Sequence, residues 1–360
     1  MESPKIVLTG GGTAGHVSLN QAIIPPLSEK GYDVHYIGSK DGIEKKLIQD
    51  SFPGVPYHEI QSGKLRRYFS MKNFTDPFKV GAGVLQAYRT IRKLKPELIF
   101  SKGGFVSVPV ALAGRMAGVP VLIHESDVTP GLANRLAMPF ADHVFTVFPE
   151  TVPHVKKAEA TCSGPIIRPE LFEGSKKEGL RLAGLSGSRP VLLVMGGSQG
   201  SAVLNDAVRS NLPELLQTHE VIHLCGKGHL DRDLEGLGGY AQFEYVTDGL
   251  KDLLKAADGV VSRAGSNSIF EFLALQIPML LIPLSAEKSR GDQILNARLF
   301  LKAGFAEVLE EEKVSKESFR EAVRSMTENT QRMILAMEQA EQPKTPEEMA
   351  SLILQFASNA

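Results

Sequence analysis

The sequence predicts an α/β protein of two doubly wound, Rossmann-like domains in tandem. Three observations carry this. Short runs, apolar on both faces, alternate with helix-length stretches, which is the pattern of a parallel sheet covered by helices on both sides. A strand, a glycine loop and a helix open the pattern twice, as IVLTGGGTAGHVSLN and as VLLVMGGSQGSAVLN. The 360 residues, 42% of them apolar, suffice for two cores at roughly 150 residues per domain.

In the first half, Ile6–Leu8, Val34–Ile37, Leu98–Phe100, Val121–Ile123 and Val144–Thr146 read as buried strands. Leu19–Lys30, Asn73–Lys95, Val108–Ala117 and Leu132–Phe140 read as the helices between them. The pattern stops over Pro165–Arg189, which has a linker's composition. A second series follows, with strands at Val191–Met195, Val221–Cys225, Phe243–Val246, Gly259–Ser262, Met279–Ile282 and Ala306–Leu309. Its helices are Asn205–Gln217, Leu250–Ala256, Ser268–Ala274 and Gln293–Ala303. From Ser315 onward the tail is helical, broken at Gln342-Pro343. Domains are expected at 1–163 and 164–342, with 343–360 a C-terminal helix packing back on the first. A tandem of this kind places the ligand cleft between the domains, at the carboxyl ends of the strands.

Composition narrows the function. Charged residues at 22% and aromatics at 7% exclude a disordered or fibrous chain. A net charge of −1 gives no reason to expect a nucleic-acid partner. Two cysteines, Cys162 and Cys225, exclude a disulfide framework or a four-cysteine zinc site and fit a reducing compartment. MESPKIVLTG runs straight into a strand pattern and lacks a signal peptide's layout. The longest apolar run, Leu273–Leu284, is broken by two prolines and falls short of the ~18 residues that span a bilayer. The expectation is a soluble protein or one held on a membrane surface.

The halves differ in charge, net +5 over residues 1–165 and −6 over the rest. The basic excess is local. Lys64, Arg66, Arg67, Lys72 and Lys79 lie among Leu65, Tyr68, Phe69, Met71, Phe74 and Phe78, against the single acid Asp76. Such a run is either a solvated loop and helix start or a patch that meets anionic head groups.

The first loop, Gly10–His16, fits G-x-G-x-x-G, whose glycines let backbone N–H groups approach an anion. A dinucleotide site also wants an acid at the end of the second strand. Tyr36-Ile37-Gly38-Ser39-Lys40 supplies none, which counts against a dehydrogenase. Gly196-Gly197-Ser198-Gln199-Gly200 offers N–H donors and a hydroxyl at another helix start. A further turn, Arg263-Ala264-Gly265-Ser266-Asn267-Ser268, precedes a helix bearing Glu271. Two glycine turns and one acid, the acid suited to the two hydroxyls of a ribose, suggest a nucleoside diphosphate site. Tight strand-to-helix packing explains either turn equally well when taken alone. Lys102-Gly103-Gly104 and His124-Glu125-Ser126-Asp127 also end strands, where ligands of such sheets bind. A neutral imidazole, His16 or His124, suits proton acceptance near pH 7. Asp231-Arg232-Asp233 has the form of a metal-binding D-x-D but lies in a polar stretch and reads as solvated surface.

In this order the motifs GGTAGH, KGGFVSVP, HESDVTPGLAN, GGSQG, SRAGSNSIFE and Gln293-Ile294-Leu295-Asn296-Ala297 resemble the MurG family of peptidoglycan glycosyltransferases, over nearly the whole chain. The variants SGKLRRYFS, HESD and SRGDQ look most like the staphylococcal-type Gram-positive form. The resemblance implies a GT-B fold, with an N-terminal acceptor domain facing the membrane and a C-terminal donor domain. It implies inverting, metal-independent transfer of N-acetylglucosamine from UDP-N-acetylglucosamine to undecaprenyl-diphosphate-linked muramyl-pentapeptide, at the cytoplasmic face of the cell membrane. Ser198, beside Gln199, and Arg168 of GPIIRPEL are then expected at the diphosphate. Glu271 is expected at the ribose, beside the turn Ser266, Asn267 and Ser268, and Gln293 at the donor sugar. Thr13, Ala14 and Gly15 are expected on the donor side of the first loop, and the uracil against main chain near Tyr245-Val246. Two departures stand out. Ala14 replaces a common glycine. Ser126 and Asp127 replace a common Gln and Asn, so the contact assigned to that Asn is not carried over. With no cofactor or metal expected, the diphosphate's charge falls to Arg168, loop N–H groups and helix starts. His16 is the first choice of base and Glu125 the second.

Other readings remain at this stage. A diacylglycerol glycosyltransferase would share the donor domain, a UDP-N-acetylglucosamine 2-epimerase would need no lipid, and a nucleotide-sugar sensor would release no UDP.

Overall fold

The structure, a computed structural model, describes residues 3–63, 72–197, 199–287, 289 and 291–357, and no side chain is described for 72–78. The chain divides into two compact units, Met1–Arg168 with Pro343–Ala360, and Pro169–Gln342.

The first unit runs β1 (Lys5–Thr9), α1 (Gly15–Glu29), β2 (Asp33–Ser39), α2 (Ile43–Ser51), β3 (Tyr57–Ile60), α3 (Lys72–Leu94), β4 (Leu98–Ser101), α4 (Ser107–Ala117), β5 (Val121–Glu125), α5 (Leu132–Ala137), β6 (His143–Thr146) and β7 (Glu159–Cys162). The second runs α6 (Lys176–Ala183), β8 (Val191–Met195), α7 (Ala202–Thr218), β9 (Glu220–Leu224), β10 (Tyr240–Phe243), α8 (Leu250–Ala256), β11 (Gly259–Ser262), α9 (Ser266–Ala274), β12 (Met279–Leu281), α10 (Asp292–Lys302), β13 (Ala306–Val308), α11 (Lys316–Glu328) and α12 (Thr330–Glu338). The chain then returns to the first unit with α13 (Pro346–Leu354).

Both sheets are parallel. The described strands lie in the order β3-β2-β1-β4-β5-β6-β7 and β10-β9-β8-β11-β12-β13. Each winding direction reverses at one central pair, β1 with β4 and β8 with β11. Thr9 pairs with Ser101 and Ser262 with Met195, so the loops that follow leave side by side at the carboxyl edge. That edge is where doubly wound sheets bind ligands.

Alternation along the strands fills two layers. Ile6, Leu8, Phe100, Leu122 and Phe145 pack with Val17, Ile23 and Ile24 of α1 and with Met349, Ala350 and Ile353 of α13. Val7, Ile99, Ile123 and Val144 pack on the opposite face with Ala87 and Ile91 of α3 and Val110 of α4. Apolar burial on both faces is what made these strands read as continuous apolar runs.

Five elements differ from the sequence expectation. The edge strands β3 and β7, YHEI and EATC, are short and largely solvent-facing, so they carry no apolar run. The helix α2 has only Glu44 and Ile48 buried, too few for a readable stripe. The helix α6 interrupts the expected linker, capped by the Ser175 side chain, which accepts from the Glu178 N–H. β10 begins at Tyr240 rather than Phe243, in register with Val221 of β9. The first unit also keeps Gly164–Arg168, expected to open the second domain. Ser163 donates its N–H to the Thr146 carbonyl at 2.8 Å, and Ile167 donates to Lys344 at 3.0 Å.

Two outcomes follow from this packing. Ile353 is fully buried in the core of the first unit, so Ile353→Ala should cost about 2–5 kcal/mol in denaturant unfolding. Burial holds His223 at about 3, from an ordinary 6.5, and its ring is bonded to Tyr240 Oη at 2.9 Å and Asn205 Oδ1 at 3.0 Å. The folded state keeps this ring neutral, while the unfolded chain takes up a proton below 6.5. Stability should therefore fall as pH drops from about 6.5 towards 3, by up to ~1.4 kcal/mol per pH unit for this group. Urea titrations of the parent and His223→Gln at pH 7 and pH 5 check this, and the variant should show the shallower dependence.

Candidate functional site

In the first unit the loops after β1 and β4 touch. Gly11 N–H donates to the Gly103 carbonyl at 3.1 Å, and a side chain at Gly104 would collide with the Gly11 carbonyl. His16, half-buried in the first turn of α1, bonds through Nδ1 to the Gly11 carbonyl at 2.9 Å. A carbonyl only accepts, so Nδ1 carries the hydrogen, and in the neutral ring Nε2 holds the lone pair, the tautomer a general base needs. Thr13 and Ala14 are exposed at the turn and Gly15 is half-buried.

The same loop holds a carboxylate that the sequence did not announce. The strand β2 ends without an acid, but Glu44, in the first turn of α2, comes back to its tip. Its Oε2 accepts from Gly12 N–H at 3.1 Å, and its Oε1 accepts from Ser39 N–H at 3.0 Å and from the Ser39 hydroxyl. Glu44 is fully buried.

Glu125 ends β5 and is 4% exposed. Its Oε1 accepts from Asp127 N–H at 3.0 Å, and its Oε2 accepts from Gly131 N–H at 2.9 Å and Asn134 Nδ2 at 2.8 Å. The carboxylate thus holds together the loop that starts α5. Beside it, Lys102 is buried and donates to the Ser126 hydroxyl. Burial lowers this amine to about 8, against the opposing pull of Glu125 and Asp127. Burial, and then Lys102, pull His124 well below its ordinary range, and among the described residues neither of its ring nitrogens meets a hydrogen-bond partner.

In the second unit the loops after β8 and β11 start α7 and α9. Ser201 caps α7, accepting from Leu204 N–H at 3.4 Å. Arg263 ties this cap to its neighbours. It donates to Ser201 Oγ at 2.7 Å, to the Ile282 carbonyl at 3.0 Å and to Glu311 Oε1 at 2.8 Å, while Glu311 Oε2 accepts from Ser285 N–H at 2.9 Å. One nearly buried ion pair therefore fixes the edges of three strand-end loops. Ser266, Asn267 and Ser268 form the first turn of α9, whose leading N–H groups suit an anion, and half-buried Glu271 follows on the next turn. Gln293 accepts from Leu284 N–H at 3.0 Å through Oε1, which fixes its amide at the start of α10. Gln199 is exposed in the β8–α7 loop. Tyr245 and half-buried Val246 lie past the end of β10, with Tyr245 exposed.

Arg168, exposed, is the last residue of the first unit before Pro169. Ser198 lies outside the described residues, as do 64–71 of the basic patch and the side chains of 72–78. Asp231 serves its own turn, accepting from Asp233 N–H at 3.1 Å. Among the described residues no His, Cys, Asp and Glu side chains gather in threes as a metal-binding group.

The sequence had singled out Glu125 without seeing its three donors, had placed Lys102 only within its glycine turn, and had not singled out Glu44 or Glu311. Only the Gly42–Glu44 helix start hinted at an acid near β2. The Glu125 geometry gives a clear expectation. Glu125→Ala strands two backbone N–H groups and the Asn134 amide, so it should lose roughly 2–4 kcal/mol of stability, read by thermal or urea unfolding. A residue serving only as a catalytic base would leave stability unchanged.

Residues 6–146 match the glycosyltransferase family 28 N-terminal domain, and residues 191–353 match its C-terminal domain. A Geobacillus thermodenitrificans protein named UDP-N-acetylglucosamine–N-acetylmuramyl-(pentapeptide) pyrophosphoryl-undecaprenol N-acetylglucosamine transferase is 57% identical over 336 residues, covering 93% of this chain and 94% of its own. Among solved structures, Acinetobacter baumannii MurG superposes with a TM-score of 0.77 at 22% identity, covering 98% of this chain and 99% of its own. The calicheamicin glycosyltransferase CalG4 reaches 0.70 at 14% identity, covering 100% of both chains. These two likenesses speak to the fold, which is of GT-B type. With both halves matched in order and such identity across nearly all of its length, the chain belongs to glycosyltransferase family 28.

Proposed function

We propose that this glycosyltransferase moves N-acetylglucosamine from UDP-N-acetylglucosamine to undecaprenyl-diphosphate-linked muramyl-pentapeptide, with inversion. The observation that carries the reading is the second unit's carboxyl edge. Two helix starts, α7 and α9, open there beside the central strand pair, with Glu271 one turn into α9. Together with the 57% identical relative, whose name states this transfer, it favours a UDP-sugar donor.

In this reading Glu271 accepts both ribose hydroxyls and the uracil lies along the main chain at Tyr245-Val246. Ser198, Gln199, Arg168 and the helix-start N–H groups meet the diphosphate, and Gln293 turns its amide to the sugar. An acceptor hydroxyl oxygen attacks the anomeric carbon, the bond from that carbon to the diphosphate oxygen breaks, and UDP leaves with the electron pair. The hydroxyl proton goes to Nε2 of His16, the nitrogen left with a lone pair by the Gly11 bond. Thr13, Ala14 and Gly15 line the first loop. Transfer needs no bound metal in this proposal, because fixed N–H dipoles and arginine supply the positive charge.

The lipid acceptor requires an approach to a membrane, and we place the protein peripherally on its cytoplasmic face. No described helix is long and apolar enough to cross a bilayer. The cations and aromatics of Lys64–Lys79 supply the contact in this proposal, and salt should weaken it.

The direct test is incubation with UDP-N-acetylglucosamine and the lipid-linked muramyl-pentapeptide, followed by detection of the disaccharide-lipid and UDP. No product from the intact chain would overturn the assignment. In the same assay Glu271→Ala should raise the donor Michaelis constant roughly tenfold or more while the protein stays folded, since hydrogen bonds to a charged acceptor are worth about 1.5–3 kcal/mol.

A further inference from the structure

The loop after β1 has the composition of a phosphate cradle, yet its anion is already present. Glu44 lies wholly inside the protein, with both oxygens engaged by Gly12 N–H, Ser39 N–H and the Ser39 hydroxyl. The glycines around it are shaped to it. A Cβ at Gly11 or at Gly42 would fall on the Glu44 carboxylate itself. The acid also sits in the first turn of α2, where the helix N-terminus favours a negative charge. Across the loop, Gly11 gives its N–H to Gly103 and takes the His16 Nδ1 hydrogen on its carbonyl. The peptide between Gly11 and Gly12 therefore presents the Gly11 carbonyl to His16 and the Gly12 N–H to Glu44.

We infer that Glu44 is a positioning residue. It fills the anion position of the first glycine loop from within, and through the Gly11–Gly12 peptide it holds the carbonyl that sets the tautomer and direction of His16. The inference reassigns the first loop. Its Gly12 N–H is spent on an internal carboxylate, so a phosphate would compete with Glu44 for that amide and meet its charge. The loop's task is to hold an imidazole, and the anion-accepting helix starts are those of the second unit. A peptide plane held by hydrogen bonds at both ends cannot rotate without breaking them, which is how a buried acid reaches a base it does not touch. The kinetic consequence rests on His16 being the base of the proposed reaction. The tautomer consequence does not.

The full-length chain tests both. In ¹⁵N NMR of histidine-labelled protein, assigned by comparison with His16→Gln, the parent should show His16 as the Nδ1–H tautomer. Glu44→Gln, which keeps the shape and loses the charge, should shift His16 to a mixture of tautomers. In the transfer assay Glu44→Gln should lower the turnover number roughly ten- to hundredfold with the donor Michaelis constant within about twofold of the parent's, the pattern of a lost proton-transfer geometry. Ser39→Ala removes one donor to the same carboxylate and should give a smaller change of the same kind, should Glu44→Gln fail to fold. An unchanged His16 tautomer and turnover in folded Glu44→Gln, or a change confined to stability or to the donor Michaelis constant, overturns the inference. An inactive parent with the expected tautomer shift sinks the proposed reaction and leaves the role of Glu44 standing.

Discussion

Parallel pairing at the centre of each sheet is the constraint on which the sites depend. Because β1 lies beside β4, and β8 beside β11, with their last residues in register, two strand-end loops emerge together in each unit. Nothing in the loops themselves could achieve this. A glycine-rich turn on its own is a weak anion binder, and it becomes a site when a second turn and a helix start are held against it. The winding order fixes that neighbourhood before any side chain is considered.

The two units use the shared geometry differently, and the difference is electrostatic. In the first, carboxylates have been drawn into the loops. Glu44 takes up the amides at the tips of β1 and β2, and Glu125 those that lead into α5. Lys102 is the buried cation beside Glu125 and Asp127. In the second, the buried acid Glu311 faces an arginine instead, and Arg263 spends its donors on Ser201 and the Ile282 carbonyl. Its loops are braced from behind by an ion pair, while the first turn of α9 keeps its leading N–H groups at the edge. One scaffold thus yields an edge stocked with internal anions and another suited to receiving an external one.

Much of this was legible in the residues, for identifiable reasons. Buried central strands must be apolar on both faces, so all nine of the described ones were visible as runs such as Val191–Met195, which matches β8 residue for residue. Glycine turns were visible because close approach leaves no alternative, as at Gly11 and Gly104. The edges were not. β3 and β7 bury so little that sequence pressure on them is weak. The β10 register was hidden because YAQF buries only Tyr240 and so shows no apolar run. Long-range polar partners were least visible of all. Glu44 reaches back 32 residues to Gly12, and Arg263 reaches 48 residues forward to Glu311. No periodicity encodes such pairs, and the ranking of His16 ahead of Glu125 as base was made without the hydrogen-bond partners that distinguish the two side chains.

The return of α13 to the first unit has a consequence for how the protein is made. Met349, Ala350 and Ile353 complete the apolar layer over α1, but they are synthesised only after the whole second unit has emerged. At 5–20 residues per second the ~170 intervening residues take roughly 9–35 s, far longer than a small domain needs to fold. During that interval the layer around Ile23, Ile24 and Leu27 lacks part of its cover, a nascent-chain surface suited to a chaperone. The second unit, contiguous in sequence, can close first although it is made second. Truncation by even the last helix would then leave the first unit in its nascent condition permanently.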